Sequence, residues 1–290
     1  MSFINDLRAI RYSWKPGNLM DSHLPLSCRE GDYRWHCRDE EDKDELDLVC
    51  RAFNSPDDAP VDFAHMLKKQ RGRRVMRVYS SEGSRILKGF NFGGSLGKQL
   101  YRHRLYALDE ALGLMLAADR GVSVPKVLSY GEHKAGLRRL SSIVVMEDVV
   151  DAFHPGGVFR GDQSHGLTVE DVLERLRPLM LQLYEAGCNH IDVHGTSFLL
   201  HNLDAKQDKV IDFQFAVFHP KPSANVLVHQ LAHFSKAPYE GLDSELLDEW
   251  ASSVLREVAG AADHEKLVNL YRENAARPVA SRYARMTVKP

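Results

Sequence analysis

The 290-residue chain contains only four cysteines, and no two of them have the C-x-x-C spacing that is typical of zinc sites. Its net charge of -2 is too small to attract nucleic acid or an anionic membrane overall, so any such attraction must come from local patches. No run approaches the roughly 20 apolar residues that cross a bilayer. The N-terminus, which carries Asp6, has no long apolar core and is not expected to be a signal peptide. These absences predict a cytoplasmic protein with reduced thiols, no transmembrane segment and no nucleic-acid partner.

The composition is that of a globular protein, with 43% hydrophobic and 27% charged residues. The length suffices for one large domain or two lobes. Residues 1–60 carry an acidic run, DEEDKDELD, and end in the turn-forming sequence NSPDDAP. We interpret residues 1–60 as an extension that packs on the lobe that follows, and not as an independent domain.

Two aspartates in short apolar surroundings are the strongest chemical signal. Asp192 lies in NHIDVHGTSFLL, and Asp212 follows twenty residues later in KVIDFQF, directly after an apolar β pair. Kinase-like folds use one such aspartate to orient the attacking hydroxyl and the other to hold Mg²⁺ on the nucleotide phosphates. The alternative is that both aspartates cap turns, and the pair alone does not decide between them.

The region before these motifs predicts strands and one helix. The sequence VMRVYSSEGSRILKGF is typical of two strands joined by a hairpin at 81–84, and it places Lys88 inside an apolar strand. Residues 100–120 form an expected helix that ends at Gly121, with Glu110 between apolar faces. Because an unpaired buried acid is costly, Lys88 is the expected partner of Glu110. An edge-strand lysine and a solvent-facing glutamate are the plainer alternatives.

Two further segments are candidates for contacts with a nucleotide: a turn that would cover its phosphates and a hinge between two lobes. The segment GFNFGGSLG lacks the G-K-[ST] ending of a P-loop and is interpreted as a connector, so the turn with Gly72 and Arg73 is the better candidate for covering phosphates. A buried strand at 142–146 runs into Glu147, where the backbone of a hinge would hold adenine.

The last part of the chain predicts a helical lobe. Thr168 and Asp171 resemble a capping box before an apolar-faced helix that ends at Gly187. Three amphipathic segments follow around 226–234, 244–258 and 264–276. The basic, polar tail after Pro278 is expected to fray.

Taken in order, these motifs resemble the bacterial lipopolysaccharide core kinases, the heptose and Kdo kinases, over roughly residues 65–235. The resemblance implies a two-lobed, protein-kinase-like α+β fold with a small β-rich N-lobe at 61–147 and a larger helical C-lobe at 148–290. It implies transfer of the ATP γ-phosphate to a sugar hydroxyl, heptose or Kdo, of the lipopolysaccharide inner core. The enzyme would then be peripheral on the cytoplasmic face of the inner membrane.

The resemblance also implies roles for particular residues. Lys88 would contact the ATP phosphates and pair with Glu110, Asp192 would be the catalytic base next to His190, and Asp212 would bind Mg²⁺. Ser197 stands where most kinases have an asparagine metal ligand, so it is a candidate second ligand. Gln214 replaces the glycine of D-F-G, and Ile191 replaces the arginine before the catalytic aspartate, which argues against regulation by a phosphorylated activation loop.

A local basic patch is the candidate contact for an anionic glycolipid. It comprises residues 68–77 together with Lys98, Arg102, Arg104, Arg138 and Arg139. Scattered surface charge is the alternative. Two other functions stay open: a kinase of a soluble small molecule or protein, and a kinase-like binding or regulatory protein without catalysis, which the serine at 197 suggests.

Overall fold

The computed structural model describes residues 16–55, 62–70, 72–91, 106–135, 138–161, 165–236 and 242–290. Within these ranges the chain divides into two compact units. The sheet unit takes the described residues up to 116 and residues 125–148, and the helical unit takes residues 117–124 and 149–290.

The described residues of the sheet unit build an antiparallel sheet of seven strands with four helices. The strands are β1 (Leu26–Glu30), β2 (Tyr33–Cys37), β3 (Ala64–Gln70), β4 (Arg73–Ser80), β5 (Gly83–Asn91), β6 (Val127–Ala135) and β7 (Arg138–Glu147). The helices are α1 (Pro16–His23), α2 (Glu40–Asp44), α3 (Leu46–Asn54) and α4 (Tyr106–Asp119), whose last turn belongs to the helical unit. The strand order is β1-β2-β6-β7-β5-β4-β3.

The predicted hairpin is confirmed as β4 and β5, which pair from Arg73 opposite Phe90 to Ser80 opposite Gly83. Strand β5 also pairs with β7, where Lys88 faces Val144. Lys88 therefore lies on a central strand, with a neighbouring strand on each side, and not at an edge. The predicted helix at 100–120 is observed as α4, and residues 100–105 lie outside the described residues.

Part of the N-terminal segment belongs to the core of the sheet unit. Strands β1 and β2 extend the sheet beside β6. Two aromatic rings pack so closely against the sheet that only glycine fits beneath them. An added Cβ would lie 2.2 Å from the Phe53 ring at Gly89 and 2.6 Å from the Trp35 ring at Gly131. Trp35 is fully buried. Residues 26–54 thus supply strands and core side chains as well as a covering layer.

The helical unit contains short strands and six helices in its described residues. The strands are β8 (Ala152–Phe153), β9 (Cys188–Asn189), β10 (Phe198–His201), β11 (Lys209–Val210) and β12 (Val217–Phe218). The helices are α5 (Pro155–Val158), α6 (Val169–Glu185), α7 (Ala224–Phe234), α8 (Ser244–Val258), α9 (Ala261–Ala276) and α10 (Arg282–Met286). Single 3-10 turns form at Gly195–Ser197, Ala205–Gln207 and Phe213–Phe215.

Helix α6 begins and ends as predicted. The Thr168 side chain and Asp171 form a reciprocal capping box at its start. At its end, Gly187 has a φ of 62°, and a Cβ there would lie 2.7 Å from the carbonyl oxygen of His219. Only glycine satisfies both conditions without strain, so α6 can deliver the chain directly to the loop with His190 and Asp192.

The prediction of a frayed tail is wrong. Residues 282–286 form α10, and its arginines contact the Asp192 loop. The predicted α+β class is confirmed, since the chain has a β-rich unit and a helical unit.

Candidate active site

Lys88 and Glu110 form the predicted ion pair inside the sheet unit. The Lys88 Nζ atom lies 3.0 Å from Oε1 of Glu110, and their side chains are only 5% and 1% exposed. The pair joins a central strand to α4, which is how protein kinases hold their phosphate-contacting lysine. Both plainer alternatives, an edge lysine and a solvent-facing glutamate, are wrong.

The turn with Gly72 and Arg73 joins β3 to β4. Gly72 has a φ of 86°, a conformation that favours glycine, and its carbonyl accepts a hydrogen bond from the Asn91 amide at 2.7 Å. The Arg73 guanidinium lies 5.6 Å from the centre of the Phe90 ring. The turn is therefore anchored to the end of β5, three residues beyond Lys88.

Some residues of the basic patch form contacts within the sheet unit, and others are exposed at the surface. Arg74 donates to the Ser55 carbonyl at 3.0 Å, and Arg77 Nε lies 2.6 Å from the Asp148 carboxylate. Lys98, Arg102 and Arg104 lie outside the described residues, as do the side chains of Arg138 and Arg139. In the described part of the patch, Lys68 and Lys69 are the lysines that the strand β3 exposes.

The carboxylates of the predicted hinge segment are bound within the sheet unit. Glu147 accepts a hydrogen bond from the Lys126 amide at 3.1 Å, and its own amide donates to the Lys126 carbonyl at 2.9 Å. Asp148 also accepts from the Ser84 hydroxyl at 2.6 Å. These bonds fix the backbone that leaves β7, which is the part of this segment assigned to adenine.

In the helical unit, the two aspartate motifs are held together by hydrogen bonds around residue 211. The His190 Nε2–H donates to the Ile211 carbonyl at 2.8 Å, and the Ile211 amide donates to the Ser197 carbonyl at 2.8 Å. Strand β9 pairs with β12, so Asn189 faces Val217. The two segments, separated by twenty residues in sequence, thus form one loop cluster that carries both Asp192 and Asp212.

Both carboxylates influence the pKa of one histidine, His194. Burial lowers the pKa of His194, and the His190 charge lowers it further. The negative charges of Asp212 and Asp192 oppose this shift. His194 follows Asp192 by two residues in the same loop. The charges of both acids act on it.

Ser197 is completely buried and its hydroxyl holds the loop together. It donates to the Asp192 carbonyl at 2.9 Å and accepts from the His194 amide at 3.2 Å. The hydroxyl proton is therefore used to fix the backbone of Asp192. Ser197 could bind a cation only through a lone pair of its hydroxyl oxygen.

The backbone at Asp212 is strained. Its φ of 67° and ψ of 46° place it in the left-handed region, which non-glycine residues adopt only when the surroundings enforce it. The next residue, Phe213, is fully buried, and its ring meets that of His190 edge to face at 5.0 Å. Because Phe213 and His190 anchor the turn, Asp212 is held in an orientation that a free chain would avoid.

Two arginines that the sequence did not point to bind the candidate catalytic base. In α10, the Arg285 Nη2 lies 2.6 Å from Oδ1 of Asp192, and the Arg282 Nη2 lies 2.8 Å from Oδ2. Arg285 also donates to the Ile191 carbonyl at 2.8 Å, while the Arg282 guanidinium lies 4.2 Å from the centre of the Phe215 ring. Their spacing of three residues, which puts side chains on one helix face, was the available signal.

These arginines determine the charge of Asp192. Burial raises the pKa of its carboxyl, but Arg282 and Arg285 outweigh burial and hold the pKa below its usual range. Asp192 is therefore ionised at neutral pH, with lone pairs left on both oxygens to accept a hydroxyl proton.

The residues present fit a magnesium ion bound in the manner of kinases. In the ranges that the structure describes, no cluster of three or more metal-ligating side chains occurs. Mg²⁺ in kinase-like sites needs only one or two carboxylates, with water and phosphate oxygens completing its shell. Asp212, fixed next to Ser197 through Ile211, meets that requirement.

No family model and no curated protein matches the chain. Solved structures do match. One is WaaP in complex with acyl carrier protein, at 20% identity and a TM-score of 0.48, over 72% of this chain and 86% of that one. WbdD matches at 20% identity and a TM-score of 0.46, over 79% of this chain and 50% of that one. A MAP kinase from Leishmania major matches at 13% identity and a TM-score of 0.39, over 86% and 87%.

The architecture is that of a protein-kinase-like fold. A lysine on a central strand pairs with a helix glutamate, and a loop cluster carries an aspartate on each of two segments. No helix in the described part of the chain is long and apolar enough to cross a membrane.

Proposed function

We propose that this protein is an ATP-dependent phosphotransferase whose acceptor is a sugar hydroxyl, heptose or Kdo, of the lipopolysaccharide inner core. The observation that carries the proposal is the loop cluster in which His190 and Ser197 tie the Asp192 segment to the Asp212 segment. Capping aspartates would not need such a connection, nor a strained backbone at Asp212.

Phosphoryl transfer asks the protein for positioning and for positive charge near the phosphate oxygens. Lys88, kept in place by Glu110, would supply one fixed charge, and the turn at Gly72 and Arg73 would cover the phosphates. The backbone at Glu147 would bind adenine. Asp212 would hold Mg²⁺, with Ser197 as the candidate second ligand; the ion, when bound, offsets charge on the phosphates.

Asp192 would orient the acceptor hydroxyl and accept its proton. Its low pKa makes Asp192 a weak base. This suffices, because in a loose transition state the acceptor hydroxyl need not lose its proton before the bond to phosphorus forms. The benefit of the arginine pair is geometric, since Arg285 also binds the backbone of Ile191 and thereby fixes the loop. His190 would act through the backbone of Ile211 as a positioning residue.

The acceptor assignment rests on the sequence resemblance, on the exposed lysines of β3 and on the basic residues of the helical unit around Asp192. An anionic glycolipid at the inner face of the inner membrane would provide matching charge. A soluble acceptor is the alternative substrate.

The test is transfer of labelled γ-phosphate from ATP with Mg²⁺ to dephosphorylated core lipopolysaccharide, offered beside soluble proteins and metabolites. Asp192→Asn should abolish transfer and keep ATP binding, and Asp212→Ala should remove the Mg²⁺ dependence of ATP binding. Asp204→Asn, which alters a half-buried turn aspartate of the same unit, is the matched control. Label in soluble acceptors only would replace the glycolipid as substrate.

A second function is favoured by one observation: both oxygens of Asp192 are paired with arginines. A kinase-like protein that binds nucleotide without transferring phosphate would tolerate this arrangement. It predicts ATP binding with no label in any acceptor, and no effect of Asp192→Asn in cells.

A further inference from the structure

The two arginines of α10 differ in what they bind. The Arg285 side chain is 17% exposed. Besides Asp192, its guanidinium binds the backbone carbonyls of Ile191 and Ala280. The Arg282 side chain is 48% exposed, and in the described part of the chain all of its hydrogen bonds and ion pairs go to Asp192. Arg285 therefore fixes the backbone of the loop, and Arg282 does not.

Arg282 adds little stability to the loop and weakens the candidate base. An ion pair with so exposed an arginine contributes little to folding, because water screens it. Burial raises the pKa of Asp192, and the Arg282 charge is the largest of the effects that lower it. A carboxylate with a lower pKa accepts a hydroxyl proton less readily. The position of Arg282 is therefore better explained by a ligand that it binds.

The guanidinium of Arg282 has one hydrogen-bonding edge left. A guanidinium can bind an oxyanion along its Nε–Nη2 edge or along its Nη1–Nη2 edge. Arg282 uses the first edge, since its Nη2 lies 2.8 Å from Oδ2 of Asp192 and its Nε lies 3.4 Å from Oδ1. Its face packs on the Phe215 ring, 4.2 Å from the ring centre, which holds its plane. The Nη1–Nη2 edge is thus oriented in advance for a second oxyanion.

An acceptor hydroxyl that binds Asp192 comes close to this edge. Arg282 Nη2 lies 2.8 Å from the carboxylate, so a hydroxyl at hydrogen-bonding distance from Asp192 lies within about 6 Å of the guanidinium. A few covalent bonds of a sugar span that distance. The two guanidinium charges on Asp192 also exceed its single negative charge, so an anionic group on the acceptor is favoured over a neutral one.

We propose that Arg282 determines the acceptor specificity: its Nη1–Nη2 edge binds a carboxylate or phosphate that the acceptor carries close to its reacting hydroxyl. This inference rests on the proposed function, because the role of Asp192 is what brings the acceptor to this place. Of the two sugars proposed as acceptors, Kdo carries a carboxylate, and heptose carries an anionic group only when it is already phosphorylated.

The binding test is an NMR titration of the full chain that follows the Nε–H signals of the arginine side chains. The Arg282 signal is the one that is missing from Arg282→Gln. The probes are glucuronate, which carries a carboxylate, glucose 6-phosphate, which carries a phosphate, and neutral glucose. The matched control is the signal of Arg272, an exposed arginine of α9 whose Nη2 lies 2.6 Å from Oδ2 of Asp248.

We expect the anionic sugars to shift the Arg282 signal and to leave the Arg272 signal in place, and glucose to shift neither. A response to only one of the two anions would show whether the bound group is a carboxylate or a phosphate. The proposal is overturned by equal shifts of the Arg282 and Arg272 signals, which would mean a general ionic effect, and by an Arg282 signal that neither anion moves.

The transfer assay gives a second readout. Arg282→Gln should raise the KM for a Kdo-terminated acceptor roughly tenfold or more, because a charge-assisted contact is lost. It should change kcat much less, since Arg285 still binds Asp192. Arg272→Gln should change neither. A fall in kcat at constant KM would overturn the specificity role and make Arg282 a positioning residue for Asp192.

The inference and the proposed function fail in different ways. If no acceptor takes up label, while the anionic sugars still shift the Arg282 signal and not the Arg272 signal, the kinase is rejected and the oxyanion site is kept. If core lipopolysaccharide is labelled with the same KM in Arg282→Gln and Arg272→Gln, the site is rejected and the kinase is kept.

Discussion

The Lys88–Glu110 pair permits a prediction in which stability and function separate. Both side chains are almost fully buried, 5% and 1% exposed, with the charged atoms 3.0 Å apart. Lys88→Met leaves the Glu110 carboxylate buried without this counter-charge. Removing one partner of such a pair costs about 3–5 kcal/mol of the free energy of unfolding. Replacing both partners by apolar residues of similar volume is often neutral, so Lys88→Met with Glu110→Leu should recover most of this loss.

Hydrogen exchange is the suitable assay, because it reports the sheet unit separately from the helical unit. A loss of about 3 kcal/mol speeds exchange through unfolding by on the order of a hundredfold, at 1.4 kcal/mol for each factor of ten. We expect this acceleration in the amides of β5 and β7 for Lys88→Met, and near wild-type protection in the double variant. Lys126→Met, an exposed lysine of the same unit, is the matched control.

Nucleotide affinity should not follow stability. Both Lys88→Met and the double variant lack the ammonium group, so both should bind ATP weakly, although only the single variant is destabilised. Two results would refute the reasoning: protection in Lys88→Met equal to that of Lys126→Met, or recovery of ATP affinity in the double variant. The first would mean that the pair does not contribute to the fold, and the second that Lys88 acts only by stabilising it.

Three further predictions concern other contacts. Arg285→Ala should raise the pKa of Asp192, since burial then meets less opposition; the acid limb of the pH profile of kcat/KM should shift to higher pH, and an unchanged limb would contradict the ion pair. Gly89→Ala would put a methyl group 2.2 Å from the Phe53 ring and should cost about 1–3 kcal/mol by overpacking; denaturant unfolding should show Phe53→Leu relieving it. The folded-state pKa of His233 is lowered from 6.5 to about 4, first by burial and then by the Arg285 charge. The unfolded chain therefore binds this proton at a higher pH than the folded protein. The contribution of His233 to the free energy of unfolding should be lost as pH falls from about 6.5 towards 4, and should be constant above pH 6.5. His233→Gln should lose less in that window, and equal losses in thermal melting would show that His233 is not responsible.

Local signals in the sequence predicted much of the site. The turn at 81–84 specified the hairpin that carries Lys88, and the apolar faces around Glu110 implied that this acid needed a buried partner. The capping box at Thr168 and the glycine at 187 defined α6 and therefore the entry to the Asp192 loop. Each of these signals depends on neighbouring residues, whose backbone preferences and periodicity can be read along the chain.

Other features depended on contacts between distant residues. The N-terminal segment was interpreted as an extension that packs on the lobe that follows. The sequence did not show that its Phe53 and Trp35 rings would lie against glycines 36 and 96 residues further on, at 89 and 131. The basic residues at 74 and 77 were assigned to a surface patch, and they instead bind the Ser55 carbonyl and the Asp148 carboxylate. The sequence pattern shows the charge of such residues but not which group they will meet.

The sequence by itself determined the fold class of the protein, since the strand with Lys88, the helix with Glu110 and the two aspartate motifs are local patterns in a fixed order. Only the tertiary structure decided the environment of the Asp192 carboxylate. Arg282 and Arg285 lie some ninety residues after Asp192, in a tail whose composition predicted fraying. Their guanidinium groups reach Asp192 only when the tail folds against the loop. Ion pairing depends on distance in space, so it produces no periodic pattern along the chain that would predict it.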